Sequence, residues 1–158
     1  TLIDSVTLGS SAASVTFSSI SATGKGDLVL VWNTPTATAN EAVFLTFNSD
    51  SGANYNYVEM KGTGSSATSL SSSNNNFIIT GFRYASVATM QIIQVADFSA
   101  TDKHKSVLVR SNEIGNNVRA TAGRWANNSA ITSATLTIGG GSTFVTASTF
   151  FLYQIVSE

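Results

Sequence analysis

Nowhere in this chain do apolar residues recur at i, i+3, i+4 and i+7 over the length of a helix. Short apolar runs of strand length repeat instead from one end to the other. Many alternate with polar residues, and Ser, Gly, Asn and Asp bound them. A chain patterned this way buries itself by packing sheets face to face, because no amphipathic helix is available to cover a sheet.

The runs can be followed in order. Leu2 to Leu8 is the first, then Val15-Thr16-Phe17 with Ile20 nearby, then Asp27 to Trp32, which Pro35 interrupts because proline donates no ladder hydrogen bond. Val43 to Phe47 leads into Asn48-Ser49-Asp50-Ser51-Gly52, an Asx-rich turn, and Tyr55 to Lys61 alternates cleanly. Residues 62–76 hold only Gly, Ser, Thr, Asn, Ala and one Leu, and read as an exposed loop. Strand pattern resumes at Phe77 to Phe82. It continues in Ala88 to Phe98, where a phase change at Ile92-Ile93 predicts a bulge. Lys105 to Arg110 sets Val107 and Val109 on one face. Val118 to Ala122 alternates with its small residues expected inward, and Trp125 follows. After the Asn127-Asn128-Ser129 turn, Ala134, Leu136 and Ile138 point one way. Gly139-Gly140-Gly141 turns the chain, and Thr149 to Val156 closes it. About ten strands with turns between them predict an all-β, antiparallel, jelly-roll-like sandwich in a single domain over 1–158.

Composition narrows the function classes. With 158 residues the chain is long enough to bury a core without a disulfide or metal. It has no cysteine, which excludes a disulfide framework and thiolate metal sites. A net charge of −1 argues against non-specific nucleic-acid binding and against attraction to anionic membranes. No segment approaches the ~20 apolar residues that span a bilayer. Thr1-Leu2-Ile3-Asp4 lacks the marks of a signal peptide and reads as a start exposed by removal of an initiator methionine.

Three segments, 28–32, 43–47 and 150–155, are apolar on both faces. In an antiparallel sandwich one face of each strand ordinarily meets water. Exposing the second face costs about 25 cal/mol per Å2. Val29, Val31, Phe44 or Phe47, and Phe150 or Phe151 therefore need cover. Another copy of the chain would supply it in a closed oligomer; the alternative is the 62–76 loop folded over the sheet.

Little material remains for chemistry. His104, the only histidine, sits between Lys103 and Lys105 in a polar turn and reads as solvated rather than catalytic. Asn48 to Glu59 has oxygen ligands near calcium-loop positions, but Ala53 stands where the sharp-turn glycine belongs, so an Asx turn is preferred. The nine acids are scattered, and none pairs in sequence as glycosidase carboxylates would. Trp32, Tyr55, Tyr57, Tyr84 and Trp125 are either sugar-stacking or core aromatics, and packing is the preferred reading. Arg83, Arg110, Arg119 and Arg124 read as a solvated edge or as a patch for an acidic partner. No cofactor or metal is implied.

Four landmarks together resemble a family of short β-rich structural proteins and fibre domains of tailed bacteriophages, especially marine and cyanobacterial ones. The first is Ser5-Val6-Thr7-Leu8-Gly9-Ser10, with Ala13 to Ile20 leading to Asp27-Leu28-Val29-Leu30. The second is Phe47 to Tyr55 followed by Gly62-Thr63-Gly64-Ser65-Ser66. The third is Trp125 to Ser133, and the last is Phe144 to Ser148 running into Phe151-Leu152-Tyr153-Gln154-Ile155. The likeness runs from about residue 2 to 156. It departs at Gln154, where the family usually has Gly, and at Ser21, where Pro is common.

The resemblance implies a jelly-roll-like virion component, usually trimeric, without catalysis. It is expected on the outer capsid surface after synthesis in the host bacterial cytoplasm. One placement is a capsid decoration or cement protein bound to the major capsid protein. The other is a tail-fibre, receptor-binding domain that recognises host glycan. Read as a whole gene product the chain favours cement; read as part of a longer chain it favours fibre. The candidate oligomer and capsid interface comprises Leu2, Ile3, Val29, Val31, Phe44, Arg83, Tyr84, Arg119, Arg124 and Phe150.

Overall fold

The computed structural model describes residues 1–21 and 26–156. Twelve strands form there: β1 (Leu2–Thr7), β2 (Ser14–Phe17), β3 (Gly26–Thr34), β4 (Glu41–Phe47), β5 (Tyr55–Gly62), β6 (Ala67–Asn75), β7 (Ile78–Arg83), β8 (Thr89–Ala96), β9 (Lys105–Asn112), β10 (Val118–Trp125), β11 (Ala134–Ile138) and β12 (Thr149–Val156). They pair antiparallel in an eight-stranded sheet of order β1-β12-β3-β8-β9-β10-β5-β6 and a four-stranded sheet of order β2-β11-β4-β7.

The fold class is the one the alternation predicts, an all-β antiparallel sandwich, and the strand order resolves it further. With β5, β6, β9 and β10 set aside, the sheets are β1-β12-β3-β8 and β2-β11-β4-β7. That is the order in which an eight-stranded jelly roll winds two Greek keys into facing sheets. The other four strands are two insertions, one between β4 and β7 and one between β8 and β11. They interleave as β9-β10-β5-β6 and extend the large sheet past β8. The small sheet's edge strand β7 lies across β9, β10 and β5. The outermost strand, β6, is exposed along almost its whole length.

The core fills the gap between the sheets. Leu28, Leu30 and Trp32 from β3 meet Val43, Leu45 and Phe47 from β4, with Ile93, Val95, Val107 and Val109 alongside. Trp32 packs edge-on to Phe144 and stacks on Phe150. Trp125 packs against Phe47 and Tyr55. All five aromatics weighed as sugar platforms are buried in this structure.

Three details differ from the sequence reading. Residues 67–75 are a strand, not a loop. Leu70 is the single large apolar side chain in β6, so no apolar rhythm marks it, and it is held by backbone pairing to β5 and by the turn in which Thr63 N donates to Ser66 O at 2.9 Å. The bulge expected at Ile92-Ile93 is absent, since β8 pairs in continuous register with β3 and β9. In β10 the inward residues are Arg119, Thr121, Gly123 and Trp125, so Ala120 and Ala122 face out. Gly123 is required there by close approach: a Cβ would lie 2.8 Å from Ile78 Cδ1.

Candidate functional site

The outer face of the eight-stranded sheet has nothing packed on it among the described residues. Strand alternation and register define its rows. One runs from Phe151 through Val31, Ile92, Arg110 and Ala120 to Met60. The next runs from Tyr153 through Val29, Gln94, Leu108 and Ala122 to Val58. Five of the most exposed large apolar side chains stand here: Val58, Met60, Met90, Leu108 and Val118, the last 69% exposed.

Small residues make this face uneven. Gly62, Ala67, Ser69 and Ala120 leave a hollow of about 570 Å3 beside Met60 and Val118. Ser71, Ser73 and Ala122 leave a second of about 440 Å3 beside Val58. Arg110 and Arg124 are exposed on the same face and form no ion pair among the described residues. Apolar area with Met and unpaired Arg, and few acids, is the composition of an interface core. Eight strands about 4.8 Å apart, each showing about seven residues at about 3.3 Å, span roughly 900 Å2. A standard protein–protein interface needs about 800 Å2 per partner, so the face is large enough.

The positions expected at the interface separate into three groups. Val29, Val31 and Arg124 lie on this outer face, and Leu2 and Ile3 are exposed on its edge strand β1. Phe44 lies on the opposite outer surface, stacked on Phe77 with ring centroids 4.1 Å apart; its neighbour in the pattern, Phe47, is core. The remaining four are corrections. Phe150 is fully buried against Trp32, and Phe151 is the outward residue of that pair. The side chains of Arg83, Tyr84 and Arg119 are largely buried and make their polar contacts within the chain, with Arg83 Nε left without a partner.

Arg83 sits 2% exposed and ties two loops together. Its Nη1 donates to Thr143 O and its Nη2 to Ala39 O at 3.2 Å. Burial lowers its pKa, and Glu41 partly opposes that. Arg119 lies under the overhang of the large sheet beyond β7. Its Nη1 meets Glu59 Oε1 at 2.5 Å, its Nε donates to Glu113 Oε1 at 2.8 Å, and its guanidinium sits 4.7 Å from the Phe82 ring centroid. Burial alone would lower the Arg119 pKa, but the two carboxylates outweigh it and hold it above the ordinary value. Tyr84 OH donates to Glu113 Oε2, and burial, reinforced by Glu113, pushes that phenol up.

The fold thus joins two acids, Glu59 and Glu113, that are far apart in sequence. A cleft of about 250 Å3, also lined by Lys61, Asn40 and Asn117, opens beside them. Both carboxylates are bound to one guanidinium, however, so neither stands ready as a free acid or base. No pattern in the sequence marks this cluster, because it is assembled by register between β5 and β10 and by the turn after β9.

The other candidates are structural. His104 is exposed. Asp50 closes the Asx turn by accepting from Gly52 N at 2.9 Å, from Asn54 Nδ2, and from Trp125 Nε1 at 2.7 Å. Burial pushes its carboxyl up, yet these hydrogen bonds prevail and leave it below its usual value. Its oxygens are turned toward N–H donors rather than a cation. Among the described residues no cluster of His, Cys, Asp or Glu has metal-site geometry.

Fold and face together define a jelly-roll β-sandwich whose extended sheet exposes a cluster of large apolar side chains among polar ones. Comparison with protein-family models and with curated protein sequences finds no match.

Proposed function

We propose that this chain is a non-enzymatic bacteriophage capsid decoration protein that acts as a homotrimer on the outer surface of the shell and stabilises it against the major capsid protein. One observation carries the reading: the broad outer face of the large sheet, where Val58, Met60, Met90, Leu108 and Val118 stand exposed among Arg110, Arg124, Gln94 and the serines of β6. Leaving it uncovered is unfavourable, and covering it only in the assembled particle makes assembly the stable state by mass action. Jelly rolls serve capsids, lectins and enzymes alike, so the fold is support by analogy alone.

The alternative, a glycan-binding fibre domain, would use loop aromatics and Asn side chains; Trp32, Tyr55, Tyr57, Tyr84 and Trp125 are buried, which leaves it the Asn side chains. Adding purified protein to expanded shells that lack it tests the proposal. Co-sedimentation at hundreds of copies per particle, with higher resistance of the shell to heat, is the expected result. A lone monomer with no affinity for shells refutes it. A clear hit on a glycan array without shell binding replaces it with the receptor-binding reading.

A further inference from the structure

Among the described residues, three of the four sheet edges are shortened, charged or covered against pairing with other chains. β1 is six residues long, holds Asp4, and loses register between Leu2 and Asp4. β2 is four residues long. β7 loses register at Val43/Phe44 of its partner strand and is laid across the large sheet. Charge, shortness, bulges and cover are the usual protections of an open edge.

β6 lacks charge, shortness and cover; its irregularity is confined to its far end, where register shifts between Ser72 and Asn75 and Asn74 takes a φ of 57°. It is nine residues long and solvent-exposed, with regular register against β5 from Ala67 to Ser72. No charged residue occurs from Gly62 to Phe82, and the chain's single proline is elsewhere. One large apolar side chain, Leu70, stands on the strand 55% exposed.

We propose that β6 pairs with β6 of a second copy, antiparallel across a two-fold axis at Leu70. This register sets Leu70 against Leu70 of the other copy, Ser69 against Ser71, and Thr68 against Ser72. No like charges meet, and small hydroxyl side chains let the backbones approach. The exposed leucine gains an apolar contact, and the unpaired backbone N–H and C=O groups of both edges are satisfied. Two eight-stranded sheets become one continuous sheet whose outer faces run together.

An edge contact of this length is smaller than a stable interface needs. It is therefore a weak link that counts when copies are already concentrated on a surface, where multivalency adds many such links. The inference rests on the reading that the chain works in several copies, and it adds a two-fold contact between decoration units.

A cysteine-free chain makes the test direct. Leu70→Cys protein is oxidised gently and run on a non-reducing gel, with Ser86→Cys, exposed but away from the edge, as control. A covalent dimer from Leu70→Cys, formed at least tenfold faster than from the control, is expected. A mixture of Ser69→Cys and Ser71→Cys should cross-link faster than either alone. Equal rates for Leu70→Cys and the control, in protein with wild-type circular dichroism, overturn the inference. Leu70→Lys separates the two proposals on shells. If it still binds but at reduced saturation or cooperativity, both readings stand. If it binds as wild type, the edge contact falls and the decoration reading survives. If the cross-link forms in solution but wild type binds no shell, the edge stands and the decoration reading falls.

Discussion

Replacing Arg119 by Met removes the one cation between Glu59 and Glu113. The side chains of Arg119, Glu59 and Glu113 are 7%, 13% and 1% exposed, close to the fully buried limit. Deleting one partner of a buried ion pair costs about 3–5 kcal/mol, because the remaining charges stay desolvated. Tyr84 still donates to Glu113, and Lys61 lines the same cleft, so the lower end, about 3 kcal/mol, is expected at pH 7.

With a urea slope of about 2 kcal/mol/M, that lowers the unfolding midpoint by about 1.5 M. Adding Glu59→Gln and Glu113→Gln to Arg119→Met should recover most of the loss at pH 7. Urea titrations of the four proteins at matched concentration make the comparison, matched because assembly shifts apparent stability. A loss under about 1 kcal/mol, or a loss that the Gln substitutions do not recover, refutes the reading of Arg119 as an internal clamp.

Further expectations follow from other contacts. Asp50 titrates below its ordinary value when folded, so its contribution is present above the unfolded value and is lost as pH falls through the folded one. Asp50→Asn should start less stable at neutral pH and show a flatter acid limb in melting temperature. Gly123→Ala presses a Cβ onto Ile78 and should cost about 1–3 kcal/mol, partly restored by Ile78→Val, as chemical denaturation will read. Met60→Lys and Val118→Lys, both on exposed positions, should leave the lone chain's stability within about 0.5 kcal/mol while abolishing self-association in sedimentation velocity and binding to shells.

Alternation alone sufficed for the all-β class, for the shared face of Val107 and Val109, for the buried set Ala134, Leu136 and Ile138, and for the Asx turn at Asp50, because each is a local property of a few neighbouring residues. A period of two says that a strand has two faces; it does not say which is inside. In 43–47 and 150–155 both faces are apolar, and only packing against Trp32 and Trp125 chose Phe150 and Phe47 for the core and left Phe151 and Phe44 outside. β6 was illegible because an exposed edge strand needs backbone partners, not apolar ones. The fate of Arg119 was illegible because its carboxylates come from β5 and from the turn after β9, brought together by strand order. Local rhythm is written into consecutive residues, whereas the choice of buried face and the pairing of charges are made by strands that meet only once the jelly roll has closed.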